Sequence, residues 1–357
     1  MLSLKNRRVA IFAEGRFGPT TSKVATSYLR YCHPDCVAVI DSRLAGQDVG
    51  AVIGYGHGIP IVESLDAALE RRPDVFMIGV GLFSNALPVE WRSQIVMALK
   101  RGMDVVSGLH FRIAGDPEFK TIASTSGSRI WDTKEPPEEL VTSAARVGPL
   151  DNYIIHTVGS DCRVGKKTTA LEITHAACGK GFNAGFAATG QSGIYISGSG
   201  VAVDAVPADF IAGVSEALVL QNAPHHDWIV VEGQGSISHP AYSGVTLGLL
   251  HGAMPHALIL CHEAGLQHHK DWPQVPLRPL NELIALYEQL ASHLRPAKVV
   301  GLSVNCASLG KAEATDYVHQ IEEETGLPAT DVIYFGADRL VDALARHRQH
   351  LPEKLAA

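Results

Sequence analysis

The stretch Thr157-Val-Gly-Ser-Asp-Cys-Arg-Val-Gly-Lys-Lys-Thr-Thr169 constrains this chain more than any other. An apolar run, residues 153–158, precedes it, and a helical pattern, residues 170–178, follows. Strand, glycine-rich loop and helix form the setting in which backbone N–H groups wrap a phosphate. Here the groups near Gly165 and Lys166 would face the anion, at the positive end of the helix. One residue breaks the usual pattern. The position after the loop lysine normally carries Ser or Thr, whose hydroxyl binds Mg²⁺, but this chain has Lys167. Two adjacent ammonium groups favour phosphate oxygens and repel a divalent cation. The loop is therefore expected to hold a nucleotide diphosphate without Mg²⁺, and no metal site is assigned. The competing reading is a glycine-rich turn with two solvated lysines.

Counted back from Gly165, the first glycine position of the strict motif is Ser160, with Gly159 one residue earlier. The resulting spacing, Gly-x-x-x-x-x-Gly-Lys-x-Thr, resembles the dethiobiotin synthetase branch of P-loop proteins. Gly159, Ser160, Arg163, Gly165, Lys166, Lys167, Thr168 and Thr169 are the expected cofactor-binding residues of this loop.

Strand-like runs alternate with helical patterns along the chain, the mark of parallel sheets flanked by helices. In the first half, strands are expected at 9–14, 36–41, 75–80 and 104–108, with helices at 21–31 and 90–101. Asp41 closes the second of these strands, where a dinucleotide fold places its ribose-binding acid. The first turn, Glu14-Gly-Arg-Phe-Gly18, lacks Gly-x-Gly-x-x-Gly, so a Rossmann-like scaffold with an unused or altered nucleotide pocket is expected. Charge and proline at 134–139, and a second break at 147–150, place the domain boundary at 147. The second half adds near-continuous apolar runs at 183–190, 228–233, 257–262, 299–305 and 332–335, as parallel strands buried on both faces require. The fold class is α/β. Residues 1–147 form a Rossmann-like parallel sheet, and residues 148–357 a P-loop-type three-layer parallel sheet.

At 357 residues there is enough chain for two cores. A net charge of −7 without basic runs argues against nucleic acid as a partner. No apolar stretch approaches the ~20 residues of a membrane span, and residues 1–8 lack a signal-peptide core. The 6 cysteines and 17 histidines show no metal-ligand spacing. A cytoplasmic protein acting on a small molecule, as a homo-oligomer, is expected.

Four further segments should meet the loop, since ligands in such sheets bind at strand carboxyl ends. One is the turn at 189–193 with Gln191. Another, 231–240, brings Glu232, Gln234 and Ser236; Glu232 either takes a proton or only orients the lysines. The third holds Asp204 and Asp209, which either recognise a cation or substrate amine or stand as solvated turn acids. In the fourth, Asn305 either reads an adenine edge or ends a strand. His262 and Glu263 form a weaker acid–base pair, while His225, His226, His268 and His269 are read as surface residues. His110 and Arg112 can meet a substrate carboxylate, or Arg112 can pair with Asp116 or Glu118. Asp161, Lys166 and Glu232 are the candidate catalytic residues. His110, Arg112, Gln191, Gln234 and Ser236 are the candidate substrate contacts.

Glu14-Gly15, the segment 104–110, the loop from Gly159 to Ala170 and Glu232-Gly-Gln-Gly235, in this order, resemble a family long classed as a domain of unknown function. That family includes D-glutamate N-acetyltransferases, and the resemblance covers essentially the whole chain. It implies acetyl transfer from acetyl-CoA to the amine of D-glutamate or a similar D-amino acid. A loop with doubled lysines would then hold the cofactor's pyrophosphate, with Asn305 at its adenine. The alternative is an ATP-dependent ligase or kinase acting on a small carboxylate, with Thr168 as a displaced Mg²⁺ ligand.

Overall fold

The computed structural model describes residues 4–82 and 86–351. It divides into two compact units: residues up to Pro137 together with Gly190–Ala205, and Glu138–Thr189 together with Val206 onward.

The first unit is built on six strands: β1 (Val9–Phe12), β2 (Cys36–Ile40), β3 (Ile61–Val62), β4 (Val75–Ile78), β5 (Asp104–Ser107) and β6 (Ile130–Asp132). They lie in the order β3-β2-β1-β4-β5-β6, and every pairing is parallel. This is the doubly wound order of dinucleotide folds. Runs such as Val-Ala-Ile-Phe and Val-Phe-Met-Ile are buried at every position, because helices cover both faces of such a sheet. The short strands β3 and β6 carry too few apolar residues to stand out in the sequence. Asp41 is fully buried, and its carboxylate accepts the N–H groups of Phe17 (2.8 Å) and Arg43 (3.0 Å). It fastens the first turn instead of facing a ribose. A crevice of about 390 Å³ opens beside the ends of β1 and β2, walled by Phe12 and Trp91 and edged by Glu14, Glu63 and Glu90. Three carboxylates would repel a pyrophosphate. The helix Gln191–Ser197 belongs to this unit, with Tyr195 in its core.

The second unit contains β7 (Tyr153–Gly159), β8 (Ala184–Ala187), β9 (Trp228–Val231), β10 (Ala257–Glu263), the hairpin β11 (His268–His269) and β12 (Trp272–Pro276), β13 (Lys298–Asn305) and β14 (Ala329–Thr330). Its parallel sheet runs β14-β13-β10-β7-β9-β8. Consecutive residues of β7 serve opposite faces. Ile155 packs with Ala170 and Leu340 on one side, and Ile154 with Leu218 and Val219 on the other. Three layers result.

Two expectations need correcting. Residues 332–335 form a turn, because Asp331 accepts the N–H groups of Ile333 (2.7 Å) and Tyr334 (3.0 Å) and so removes donors a strand would need. The compositional break at 147 lies inside the second unit. Glu216, fully buried, accepts from the backbone of Ala144 and Arg146 and pairs with the Arg146 guanidinium at 2.8 Å, fastening this segment to the helix Ile211–Asn222.

Candidate functional site

β7 lies between β10 and β9, so its carboxyl end and the loop after it sit at the middle of the sheet edge. The helix that follows, Lys166–Gly179, begins at Gly165 with φ 108°, and no side chain caps it. A left-handed residue without a Cβ turns the chain into the helix and leaves its first N–H groups to an anion.

Lys166 is buried, and its Nζ donates to the Asp161 carbonyl at 2.7 Å. The stem runs in a slot between two glycines. A Cβ on Gly159 would stand 2.8 Å from Nζ, and one on Gly233 would stand 3.1 Å from Cδ. Among the described residues no carboxylate oxygen lies within 4.0 Å of that nitrogen. Burial is the main reason its pKa falls below the ordinary lysine value, against smaller upward pulls from Cys162, Cys261 and Asp161. An ammonium held out of water without a counter-ion is costly, and an anion entering the loop would relieve it.

Asp161 is fully buried one turn of chain earlier. Its Oδ1 accepts from His269 Nδ1 at 2.8 Å, and its Oδ2 from the Lys270 N–H at 2.7 Å. Burial alone would raise its pKa; the bonds from His269, Lys270 and Cys162 outweigh this and hold it below the usual carboxylate range. His269 was expected at the surface, yet it is 2% exposed. Nothing in the run His268-His269-Lys270 marks it, because a two-residue strand has no periodicity to read. The His239 ring stands edge-on to it at 5.1 Å, and Trp272 in turn stands edge-on to His239 at 4.7 Å.

Cys162, Asp161 and His239 bring potential ligand atoms within 4.8 Å of one another. The tautomer decides what they can do. The Ala241 N–H donates to His239 Nδ1 at 3.1 Å, so the ring proton sits on Nε2, 3.6 Å from Asp161 Oδ1. That nitrogen offers a hydrogen, not a lone pair, which suits a hydrogen bond and not a cation.

The other expected residues fall into two groups. Gathered around the loop are Glu232, Gln234, Ser236, Ser160 and Asn305. Glu232 is buried at the end of β9 and accepts the Thr189 N–H at 3.0 Å; Gln234 donates to the Thr189 hydroxyl at 3.1 Å. Ser236 donates to the Ser160 carbonyl at 3.1 Å, and Ser160 Oγ meets His262 Nδ1 at 2.9 Å. Asn305 donates to Glu263, which also pairs with Lys270. Thr169 is turned into the sheet, donating to Ser303 at 2.7 Å, while Lys167 and Thr168 are half-buried at the helix start. Arg163 is exposed with φ 60° and pairs with Asp271.

His110, Arg112 and Gln191 belong to the first unit. His110 meets Lys134 at 2.9 Å. Arg112 pairs with Glu135, since Arg92 takes both Asp116 and Glu118. Gln191 lies against Gly108, where a Cβ would come within 2.0 Å of its Oε1.

Two histidines of the second unit give a pH signature. Burial is the main reason that His156, in β7, and His262, in β10, are each pushed down to about 4. The unfolded chain takes up these protons near pH 6.5, and the folded chain resists them, so the stability is complete above that value and lost as pH falls toward 4. At about 1.4 kcal/mol per pKa unit, each histidine should cost the fold a little under ~2 kcal/mol between pH 7 and pH 5, and the pair about 4 kcal/mol. A urea midpoint that stayed constant over that window would contradict this.

A Rossmann-like unit joined to a unit with a lysine-bearing phosphate loop defines a two-domain α/β protein of the P-loop class. The chain belongs to the DUF1611 family: residues 42–136 match its domain of unknown function described as Rossmann-like, and residues 141–341 the one described as a P-loop domain. It is 39% identical over 296 residues to a D-glutamate N-acetyltransferase of Tritonibacter scottomollicae, covering 82% of this chain and 87% of that protein. With a D-glutamate N-acetyltransferase of a Pseudoalteromonas species it shares 35% identity over 279 residues, 78% of this chain and 83% of the relative. The crystal structure of a DUF1611 family protein from Anabaena variabilis matches with a TM-score of 0.91 at 39% identity, covering 96% of this chain and all of that one. Among the described residues, no helix is long and apolar enough to cross a membrane.

Proposed function

We propose that this protein transfers the acetyl group of acetyl-CoA to the amine of D-glutamate or a closely related D-amino acid. The curated relatives carry that name, and they align with most of the chain. For the donor half, the observation that carries the reading is Lys166: a buried ammonium without a carboxylate partner among the described residues, at an uncapped helix start. Lys167 and Thr168 flank it at the helix start, and with Gly165 they supply the charge and N–H groups for the anionic part of the donor. Nothing in this arrangement requires hydrolysis of a nucleotide.

The test uses the purified chain with acetyl-CoA and D-glutamate, following free thiol and the mass of the product. Thiol release that depends on the amino acid, together with N-acetyl-D-glutamate, is expected. Calorimetry that finds tight, Mg²⁺-dependent ATP binding and no binding of acetyl-CoA would reject the reading.

A further inference from the structure

Acetyl transfer to an amine needs a group to take the amine's proton, and we infer that His269 takes it, positioned by Asp161 and reached through the Ser238 hydroxyl. This rests on the acetyl-transfer reading above. Asp161, ionised, can only accept, so His269 Nδ1 carries a hydrogen and donates it across 2.8 Å. The lone pair is then on Nε2, which stands 3.5 Å from Ser238 Oγ. Ser238 is half-buried and lies 3.3 Å from Ser236 Oγ. A buried acid, an oriented imidazole and a hydroxyl nearer the surface make the sequence of groups that moves protons in acyl transfer. Contacts of this kind are often loose without substrate and tighten when it binds.

The alternatives fail on geometry. His239 has its hydrogen on the nitrogen that faces Asp161, and its other nitrogen is spent on Ala241. Both nitrogens of His262 are engaged, by Ser160 Oγ at 2.9 Å and Tyr317 OH at 3.4 Å. Glu232 holds the Thr189 N–H and so the ends of β8 and β9. The charged and titratable groups around His269 are Asp161, the His239 ring, Lys270 with its partner Glu263, and Lys166 behind the Asp161 carbonyl.

In the step itself, the neutral amine nitrogen bonds to the thioester carbonyl carbon. Its proton passes to Ser238 Oγ as the Ser238 proton passes to His269 Nε2. The C–S bond then breaks, and the departing thiolate takes the proton back from the imidazolium. Asp161 stays ionised throughout. His269 lies beside the loop through its bond to Asp161, so the thioester would have to reach the Ser238 hydroxyl for this step.

The experiment follows thiol release from acetyl-CoA with D-glutamate between pH 5.5 and 9, together with donor affinity by calorimetry and a thermal melt for each variant. His269→Asn keeps a donor for Asp161 and removes Nε2. It should lower kcat at least 100-fold, leave donor affinity within threefold, and abolish the acid limb of the wild-type profile. Asp161→Asn, which reverses the imidazole tautomer, should lose a similar factor, and Ser238→Ala about tenfold. If His269→Asn melts early, His269→Gln replaces it. An unchanged acid limb in a folded His269 variant would overturn the inference. So would a burst of one thiol per chain without amine that Ser238→Ala removes, since Ser238 would then carry the acyl group. A wild-type protein that transfers nothing would instead bring down the functional reading itself.

Discussion

Lys166→Met should weaken donor binding about 100-fold while leaving the fold as stable as before, or slightly more so. The methionine stem fills the slot between Gly159 and Gly233 that the lysine stem now occupies. What disappears is the ammonium, buried and donating to the Asp161 carbonyl. Removing an uncompensated buried charge costs the folded state little, because its desolvation disappears with it. The bound state fares differently. A charge-assisted hydrogen bond in such a site contributes roughly 1.5–3 kcal/mol, and about 1.4 kcal/mol corresponds to tenfold in affinity. Acetyl-CoA affinity should therefore drop by about 100-fold, with a melting temperature within a few degrees of wild type. Calorimetry and a thermal melt on the same preparation separate the two effects. Unchanged affinity would remove the lysine from the donor site.

The alternation of apolar runs with helical patterns placed both sheets, because parallel strands buried on both faces leave long uninterrupted apolar segments. The phosphate loop was legible for a different reason: it combines a glycine with positive φ, a lysine and a helix start within a few residues. Elements that depend on contacts distant in sequence were not legible. β3 and β14 are two residues long, and the turn at 332–335 is set by one carboxylate, Asp331, not by its apolar content. Gln191–Ser197 follows the strand β8 in sequence but packs its Tyr195 into the other unit, which no local pattern records. The same holds at the site. Asp161 and Lys166 stand in the loop itself, so the motif singles them out. His269 is 108 residues from Asp161, on a short hairpin, and only the folded chain brings the two together. Glu232 was read as a proton acceptor or as an acid that orients the lysines; its carboxylate accepts the Thr189 N–H, 43 residues away in sequence.

Gly233→Ala should be the most damaging single methyl group that can be added to the second unit's site. The new Cβ would come within 1.7 Å of the Thr157 carbonyl oxygen and 3.1 Å of Lys166 Cδ. The side chain can shift; the carbonyl belongs to β7, which is buried along its whole length and paired on both sides. Relief therefore requires moving β9 away from β7 at the point where Gly233 N–H donates to Thr157 Oγ1 at 2.9 Å. Overpacking in a well-packed interior typically costs 1–3 kcal/mol, and a clash with fixed backbone belongs at or above the top of that range, about 4 kcal/mol here. The damage should not stay local. The same displacement widens the slot that holds Lys166, so a folded fraction of the variant should also bind acetyl-CoA at least tenfold more weakly. Gly233→Ala and Lys166→Met then form an informative pair: one loses stability and affinity together, the other affinity alone. A Gly233→Ala protein with a wild-type urea midpoint would show that β7 and β9 are not locked at this point, and the slot would no longer account for the position of Lys166.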